Sequence, residues 1–173
     1  VTGRGYFEDS TTLRVETTEG NQFIKFEKAI VAVGSQPAMP KAFDLGNPRI
    51  MTSTGALEVE DIPATLLVIG GGYIGMELGT VYARLGSEVV VAEALPAVLG
   101  GADQDLARPV IAMAKKTFKE IRTSARVLNM STAGKHIRVV MEHEGRQLEE
   151  AYNRVLVSVG RRAAGDDLGL ENT

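Results

Sequence analysis

These 173 residues predict an α/β fold: a parallel sheet with flanking helices and an antiparallel β-meander. Three observations predict it. From Leu66 to Glu93 the chain reads strand, glycine turn, helix, strand, the alternation that builds parallel sheets. Two further apolar runs, "AIVAV" (29–33) and "RVLVSVG" (154–160), are closed by glycines, as fully buried strands often are. Between residues 121 and 152, short alternating runs are punctuated by Ala133-Gly134 and Glu144-Gly145, turn signals at hairpin spacing.

Taken in order, "LRVE" and "FIKF" alternate around Glu19-Gly20-Asn21 and predict a hairpin. "AIVAV" predicts a buried strand ending at Gly34. The stretch "GSQPAMPKAFDLGNP" (34–48) holds three prolines and no period, so it reads as a connector. "LLVI" (66–69) is a strand. Residues Tyr73 to Leu85 follow as a helix, with apolar Ile74, Leu78, Val81, Tyr82 and Leu85 repeating at helical spacing and Gly86 at the capping position. "EVVVAE" (88–93) is the next strand. A second helix starts near Asp103 or Asp105 and runs to about Thr117. Pro109 fits its first turn only if Asp105 or a later residue is the cap; otherwise it should kink the helix.

Composition narrows the function. The chain is 44% hydrophobic, enough for one good core, and its net charge is −3. Lys and Arg are scattered, which argues against a nucleic-acid or polybasic membrane surface. No apolar run approaches the ~20 residues that span a bilayer. There is no cysteine, so disulfide scaffolds, thiolate metal sites and cysteine nucleophiles are excluded within these residues. No residue is marked as catalytic or metal-binding. His136 and His143 read as surface histidines of the meander. Val1 is not a start methionine, no signal peptide is visible, and the tail "LGLENT" is open-ended; all this suggests a piece of a larger chain.

The chemistry sits in the glycines. Gly70-x-Gly72-x-x-Gly75, with Gly71, Tyr73 and Ile74 between them, is the Rossmann-like dinucleotide spacing. Its first glycine turns the chain off a strand, the second lets a diphosphate approach the backbone, and the third lets helix and strand pack closely. The helix start adds free N–H groups and the positive end of a dipole. A bare glycine turn shares the spacing, but here a strand precedes it, an amphipathic helix follows, and the next strand ends in an acid at Glu93. That carboxylate can accept from both hydroxyls of an adenosine ribose and would repel a 2′-phosphate. No Arg or Lys lies between Glu93 and Arg108, so NAD is expected rather than NADP. Gly79 reads as a packing residue. Glu77 reads, on spacing alone, as a carboxylate favoured by the dipole near the helix start.

Several segments together resemble the flavoprotein disulfide reductases, over essentially the whole chain. "LLVIGGGYIGMELGTVYARLGSEVVVAE" is similar to their pyridine-nucleotide domain. "AIVAVGSQPAMP" resembles the hand-over from the FAD domain, and "RVLVSVGRR" with "LGLEN" the return from the NAD domain. "NPRIMTSTGALEVEDIPATLLVIGGG" is similar to the dihydrolipoamide dehydrogenase branch. The resemblance implies residues 1–40 as a remnant of FAD-domain strands and connector, and 41–173 as the NAD-binding domain. It implies NAD as cofactor here, with FAD held mostly elsewhere.

Position by position, the resemblance places the glycine loop at Gly70 through Gly75, the ribose acid at Glu93, a nicotinamide-side glutamate at Glu77 and an adenine contact at Val127. Gly160 and Arg161 fall beside the nicotinamide half, Gly3 beside the FAD adenine and Gly34 where the chain passes the flavin. Tyr73 stands where relatives carry an aromatic lid; an exposed first-turn tyrosine is the equal alternative. Arg162-Ala163-Ala164 depart from the proline and asparagine usual after Gly160-Arg161. The redox Cys-x4-Cys pair, the first FAD glycine motif and the dimer domain with its His–Glu base are not among these residues.

The implied activity is oxidation of a dihydrolipoyl group, with hydride passed from FAD to NAD; the fragment alone should turn over nothing. The implied partners are a second copy of the parent and the dihydrolipoyl domain of a 2-oxo-acid dehydrogenase complex. The implied location is a bacterial cytoplasm or a mitochondrial matrix. The rivals are an NADH oxidase, a mercuric or coenzyme A disulfide reductase, or a non-catalytic NAD-sensing module.

Overall fold

The structure, a computed structural model, describes residues 1–173. The chain packs as two compact units, residues 1–36 with 161–173 and residues 37–160. In the first unit, β1 (Arg4–Asp9), β2 (Thr12–Thr17) and β3 (Gly20–Lys25) form an antiparallel sheet in that order. Phe7 and Val15 are its buried side chains, and Phe26 meets the Phe7 ring edge-on at 5.7 Å. A short strand β4 (Ser35–Pro37) follows.

The run "AIVAV" forms no strand. Residues 29–33 carry no regular structure and Ile30 is 96% exposed. The apolar pattern is present, but a strand exists only as a hydrogen-bonded pair, and no strand of these 173 residues pairs with it.

The second unit is built on a five-stranded parallel sheet. Its members are β5 (Ile50–Met51), β6 (Thr65–Ile69), β7 (Glu88–Ala92), β8 (Glu120–Arg122) and β12 (Arg154–Val157), in the order β5-β12-β6-β7-β8. Helices α1 (Ser53–Glu58), α2 (Tyr73–Leu85) and α3 (Gln104–Thr117) connect them, and β9 (Arg126–Ala133), β10 (His136–His143) and β11 (Arg146–Tyr152) form the antiparallel meander. Neither β5 nor α1 was marked by the sequence pattern, and β8 joins the parallel sheet rather than the meander.

The central strands explain their own sequences. Leu66, Val68, Val89, Val91 and Leu156 pack with the helices, while Leu67, Ile69, Val90, Ala92, Val155 and Val157 pack with the meander. A strand covered on both faces has no solvated side, so its apolar run is continuous. Glu144 and Gly145 both take positive φ, at 51° and 72°, which is what a two-residue hairpin turn between β10 and β11 requires.

Helix α2 has the expected bounds and a Gly86 cap at φ 111°, but its buried face is shifted. Gly75, Met76, Leu78, Gly79 and Tyr82 are buried, whereas Val81 and Leu85 face solvent. The glycines set the face: a Cβ on Gly79 would stand 3.2 Å from Phe118 and 3.6 Å from both Val68 and Val89. Asp103 caps α3, so Pro109 sits in the second turn rather than the first and leaves the Asp105 carbonyl without its helical donor.

Tyr82, 1% exposed, donates its hydroxyl to the Ala56 carbonyl at 2.8 Å and so ties α2 to α1. Tyr82→Phe strands that carbonyl and is expected to cost about 1–3 kcal/mol. Urea unfolding reads the effect as a lowered midpoint at unchanged slope.

The last strand, β13 (Arg161–Ala163), pairs with β4. Arg161 donates to Ser35 Oγ at 2.7 Å and to the Ser35 carbonyl at 2.6 Å. Further along, Phe7 N donates to the Leu168 carbonyl at 2.7 Å, and Asn172 Nδ2 to the Phe7 carbonyl at 2.8 Å. These bonds hold residues 161–173 in the first unit, where the sequence boundary at residue 40 kept them with the second half.

Candidate functional site

In the sheet order, β6 is followed in sequence by β7 and β8 on one side and flanked by β12 and β5 on the other, so connections reverse between β6 and β12. In open parallel sheets such a reversal leaves a crevice beyond the strands' carboxyl ends. Residues Gly70–Gly72 leave β6 at that point. Gly70 has φ 102° and donates its N–H to Ala92 at 2.9 Å. A Cβ there would come 2.5 Å from the Ser158 carbonyl oxygen, so the first glycine serves both a left-handed turn and a close approach. Gly71 is crowded too, its Cβ position lying 2.4 Å from Val98. Gly72 caps α2 in an extended conformation, and its Cβ position meets nothing within 4 Å. Gly75 is the tightest, at 2.1 Å from the Gly70 carbonyl oxygen and 3.0 Å from Val68.

The turn leaves the amides of Gly72, Tyr73, Ile74 and Gly75 without an acceptor anywhere in the chain, whereas Met76 N already bonds the Gly72 carbonyl at 3.0 Å. Four consecutive free donors at the positive end of a 13-residue helix, beside an open glycine, make an anion cradle.

Glu93 lies next to it. Its Oε2 accepts the Gly71 amide at 2.6 Å and its Oε1 the Leu95 amide at 2.7 Å. No Lys or Arg side chain bonds it. An ionised carboxylate has about four lone-pair sites, so two remain for hydroxyl donors. The backbone is pinned as well: Glu93 N donates to the Arg122 carbonyl at 2.8 Å, and Ala125 N to the Glu93 carbonyl at 2.8 Å.

The other sequence-marked residues fall less tightly. Val127, two residues beyond Ala125, is half-buried against the meander core. Ile74 packs on the helix-side core. Tyr73 and Glu77, four residues apart on α2, are exposed and share one face of the helix; the Glu77 side chain makes no hydrogen bond or ion pair. Gly160, at φ 135°, ends the β12 segment. Gly3, Gly34 and Arg161 belong to the other unit. A Cβ on Gly3 would lie 2.3 Å from the Glu16 carbonyl oxygen, so packing against β2 explains that glycine. Gly34 is exposed, with φ 72°.

Three residues the sequence reading did not mark complete the site. Ser158 Oγ lies 3.0 Å from both the Ile69 and the Gly70 carbonyls and holds the end of β12 to the glycine turn. Its signal was visible as the one polar residue inside the apolar run 155–159. Val98 covers Gly71, with no pattern to announce it. Arg122 is a buried arginine whose partners lie on distant strands, which sequence cannot show.

Comparison with known proteins gives a consistent picture. The family model described as pyridine nucleotide-disulphide oxidoreductase matches residues 2–172. A dihydrolipoyl dehydrogenase of Staphylococcus aureus is 40% identical over 171 residues, covering 99% of this chain and 36% of that protein. A mitochondrial dihydrolipoyl dehydrogenase of Schizosaccharomyces pombe is 35% identical over 173 residues, covering 98% of this chain and 34% of that protein. The chain thus spans about a third of the length of the curated relatives it matches. Among solved structures, the HOCl-induced flavoprotein disulfide reductase RclA of Escherichia coli superposes with a TM-score of 0.81 at 30% identity, over 100% of this chain and 38% of that one.

Proposed function

Because the chain belongs to the pyridine nucleotide-disulphide oxidoreductase family, we propose that it forms the NAD-binding part of a dihydrolipoyl dehydrogenase, the enzyme that oxidises dihydrolipoyl groups and reduces NAD by way of FAD. One observation carries the reading: four unpartnered amides at the start of α2 lie beside an open Gly72 and a carboxylate that keeps two lone-pair sites free.

These residues fit NAD. The amides of Gly72–Gly75 hold a diphosphate, and Glu93 holds the adenosine ribose while repelling a 2′-phosphate. Bound there, NAD supplies a nicotinamide ring able to accept a hydride. The chain's own contribution is placement. Val127 bounds the adenine side, Gly160 and Arg161 border the nicotinamide half, and Glu77 and Tyr73 stand along the exposed face of α2, where the tyrosine screens the ring site. Gly3 and Gly34 would border the FAD side; the closeness of Gly3 to the Glu16 carbonyl also gives that glycine a packing role. FAD is assigned mostly to residues outside these 173.

The parent would work as a homodimer with the dihydrolipoyl domain of a 2-oxo-acid dehydrogenase complex, in a bacterial cytoplasm or mitochondrial matrix. Residues 1–173 alone would bind NAD weakly and turn over nothing. The likeness to RclA supports a second reading, a flavoprotein reductase acting on another disulfide. Dihydrolipoamide-dependent NADH formation by the full-length protein distinguishes the two. Rapid formation is expected; no turnover with dihydrolipoamide, alongside NADH-driven reduction of a different disulfide, would overturn the first reading.

A further inference from the structure

We propose that Arg122 is the positioning residue that keeps Glu93 in register with Gly71 and thereby sets affinity for the adenosine ribose; the inference rests on the reading of Glu93 as the ribose acceptor. Arg122 ends β8, an edge strand of three residues paired only to β7. So short an edge holds its place weakly through ladder bonds alone. The Arg122 side chain supplies the missing tie. It is 7% exposed, and its fork donates to Glu150 Oε2 at 2.6 Å, to Glu150 Oε1 at 3.0 Å and to Glu120 Oε2 at 2.6 Å. Glu150 lies on β11 of the meander and also accepts the Tyr152 hydroxyl. A planar guanidinium meeting a carboxylate through two bonds fixes orientation as well as distance.

The tie reaches Glu93 through the main chain. Glu93 N donates to the Arg122 carbonyl at 2.8 Å, Ser124 N to the Leu95 carbonyl at 2.9 Å, and Ala125 N to the Glu93 carbonyl at 2.8 Å. Residues 122–125 therefore bracket residues 93–95. Leu95 N is one of the two amides that aim the Glu93 carboxylate. Releasing the fork frees the outer side of that bracket without altering the side chain of Glu93 or any residue of the glycine turn.

The fork also holds the Glu150 carboxyl below the usual carboxylate range, since its negative form keeps the charge-assisted bonds. A carboxyl lowered in the folded state contributes stability that is complete above its unfolded value and is lost as pH falls through the folded one. The anchorage therefore holds at neutral pH and weakens only in acid.

The test uses the full-length protein with its flavin bound, titrated with NADH and with NADH lacking the adenosine 2′-hydroxyl. The wild type is expected to prefer NADH by about tenfold, the effect of one hydrogen bond to a charged group. Arg122→Met should lose that preference by weakening NADH binding about tenfold and the deoxy analogue little. Arg122→Lys should keep part of the preference. If Arg122→Met does not fold, Glu150→Gln, which keeps shape and removes charge, should reduce the preference instead. Equal weakening of both nucleotides, or no change in either, would overturn the role of Arg122. A wild type indifferent to the 2′-hydroxyl would instead overturn the reading of Glu93 on which it rests.

Discussion

Gly75→Ala is expected to damage both the fold and nucleotide binding, whereas Gly72→Ala is expected to damage binding alone. At Gly75 a methyl group would stand 2.1 Å from the Gly70 carbonyl oxygen and 2.6 Å from Ser158 Oγ. The first contact is backbone, so relief requires the turn itself to move off β6. Overpacking of this kind costs about 1–3 kcal/mol, and a displaced turn no longer aims its amides at one point. At Gly72 the methyl group meets nothing within 4 Å, and φ −71° with ψ −179° suits any residue. The only thing it obstructs is the space above the turn. Gly72→Ala should therefore unfold like the wild type in urea while NADH affinity falls by about tenfold or more. A loss of stability in Gly72→Ala, or full affinity in it, would contradict the assignment of that space to a diphosphate.

Glu93→Ala carries the second large effect. The carboxylate orders Gly71 and Leu95 from within and offers its remaining lone pairs outward. Removal costs the ribose bonds and loosens the turn together, about 2–4 kcal/mol of binding free energy, or roughly 30- to 1000-fold in NADH affinity. Glu93→Gln should fall between, because its NH2 group faces a backbone donor where an oxygen stood. Neither substitution should convert the site to NADP, since removing the acid supplies no cation to pair a 2′-phosphate and also unmoors the turn. Comparing NADH and NADPH affinities across the three proteins checks this. A gain in NADPH binding above the wild-type NADH level would show that Glu93 acts only as a charge filter.

Much of this site is local in sequence, and for that reason it was legible. The bounds of α2, its Gly86 cap and the turn at Gly70 depend on residues within a few positions of one another. The apolar runs of β6, β7 and β12 declare burial on both faces, so the parallel sheet was readable as well. What failed depended on distant partners. "AIVAV" has the pattern of a buried strand, yet pairing requires a neighbour at the right place, and pattern carries no information about that. The stripe Ile74–Leu78–Val81–Tyr82–Leu85 gave the period of α2 and placed Ile74, Leu78 and Tyr82 on the core side, and Gly79 read as a packing residue. Val81 and Leu85 nevertheless face solvent, because Gly75, Met76 and Gly79 carry the rest of the buried face. Residues 161–173 continue smoothly after β12, and only their bonds to β1 and Ser35 reveal which unit they complete. Arg122 lies beyond local reading for the same reason: its anchor, Glu150, is twenty-eight residues away on another sheet.

The central claim is that the start of α2 grips a diphosphate whose ribose Glu93 holds, independently of the nicotinamide. Calorimetric titration of the full-length protein with ADP-ribose tests it most directly, because that molecule carries the adenosine, the diphosphate and no nicotinamide. Saturable binding that falls at least about tenfold in the folded Gly72→Ala variant is the predicted result. No binding of ADP-ribose to the folded wild type, or binding undiminished by Gly72→Ala, would contradict it.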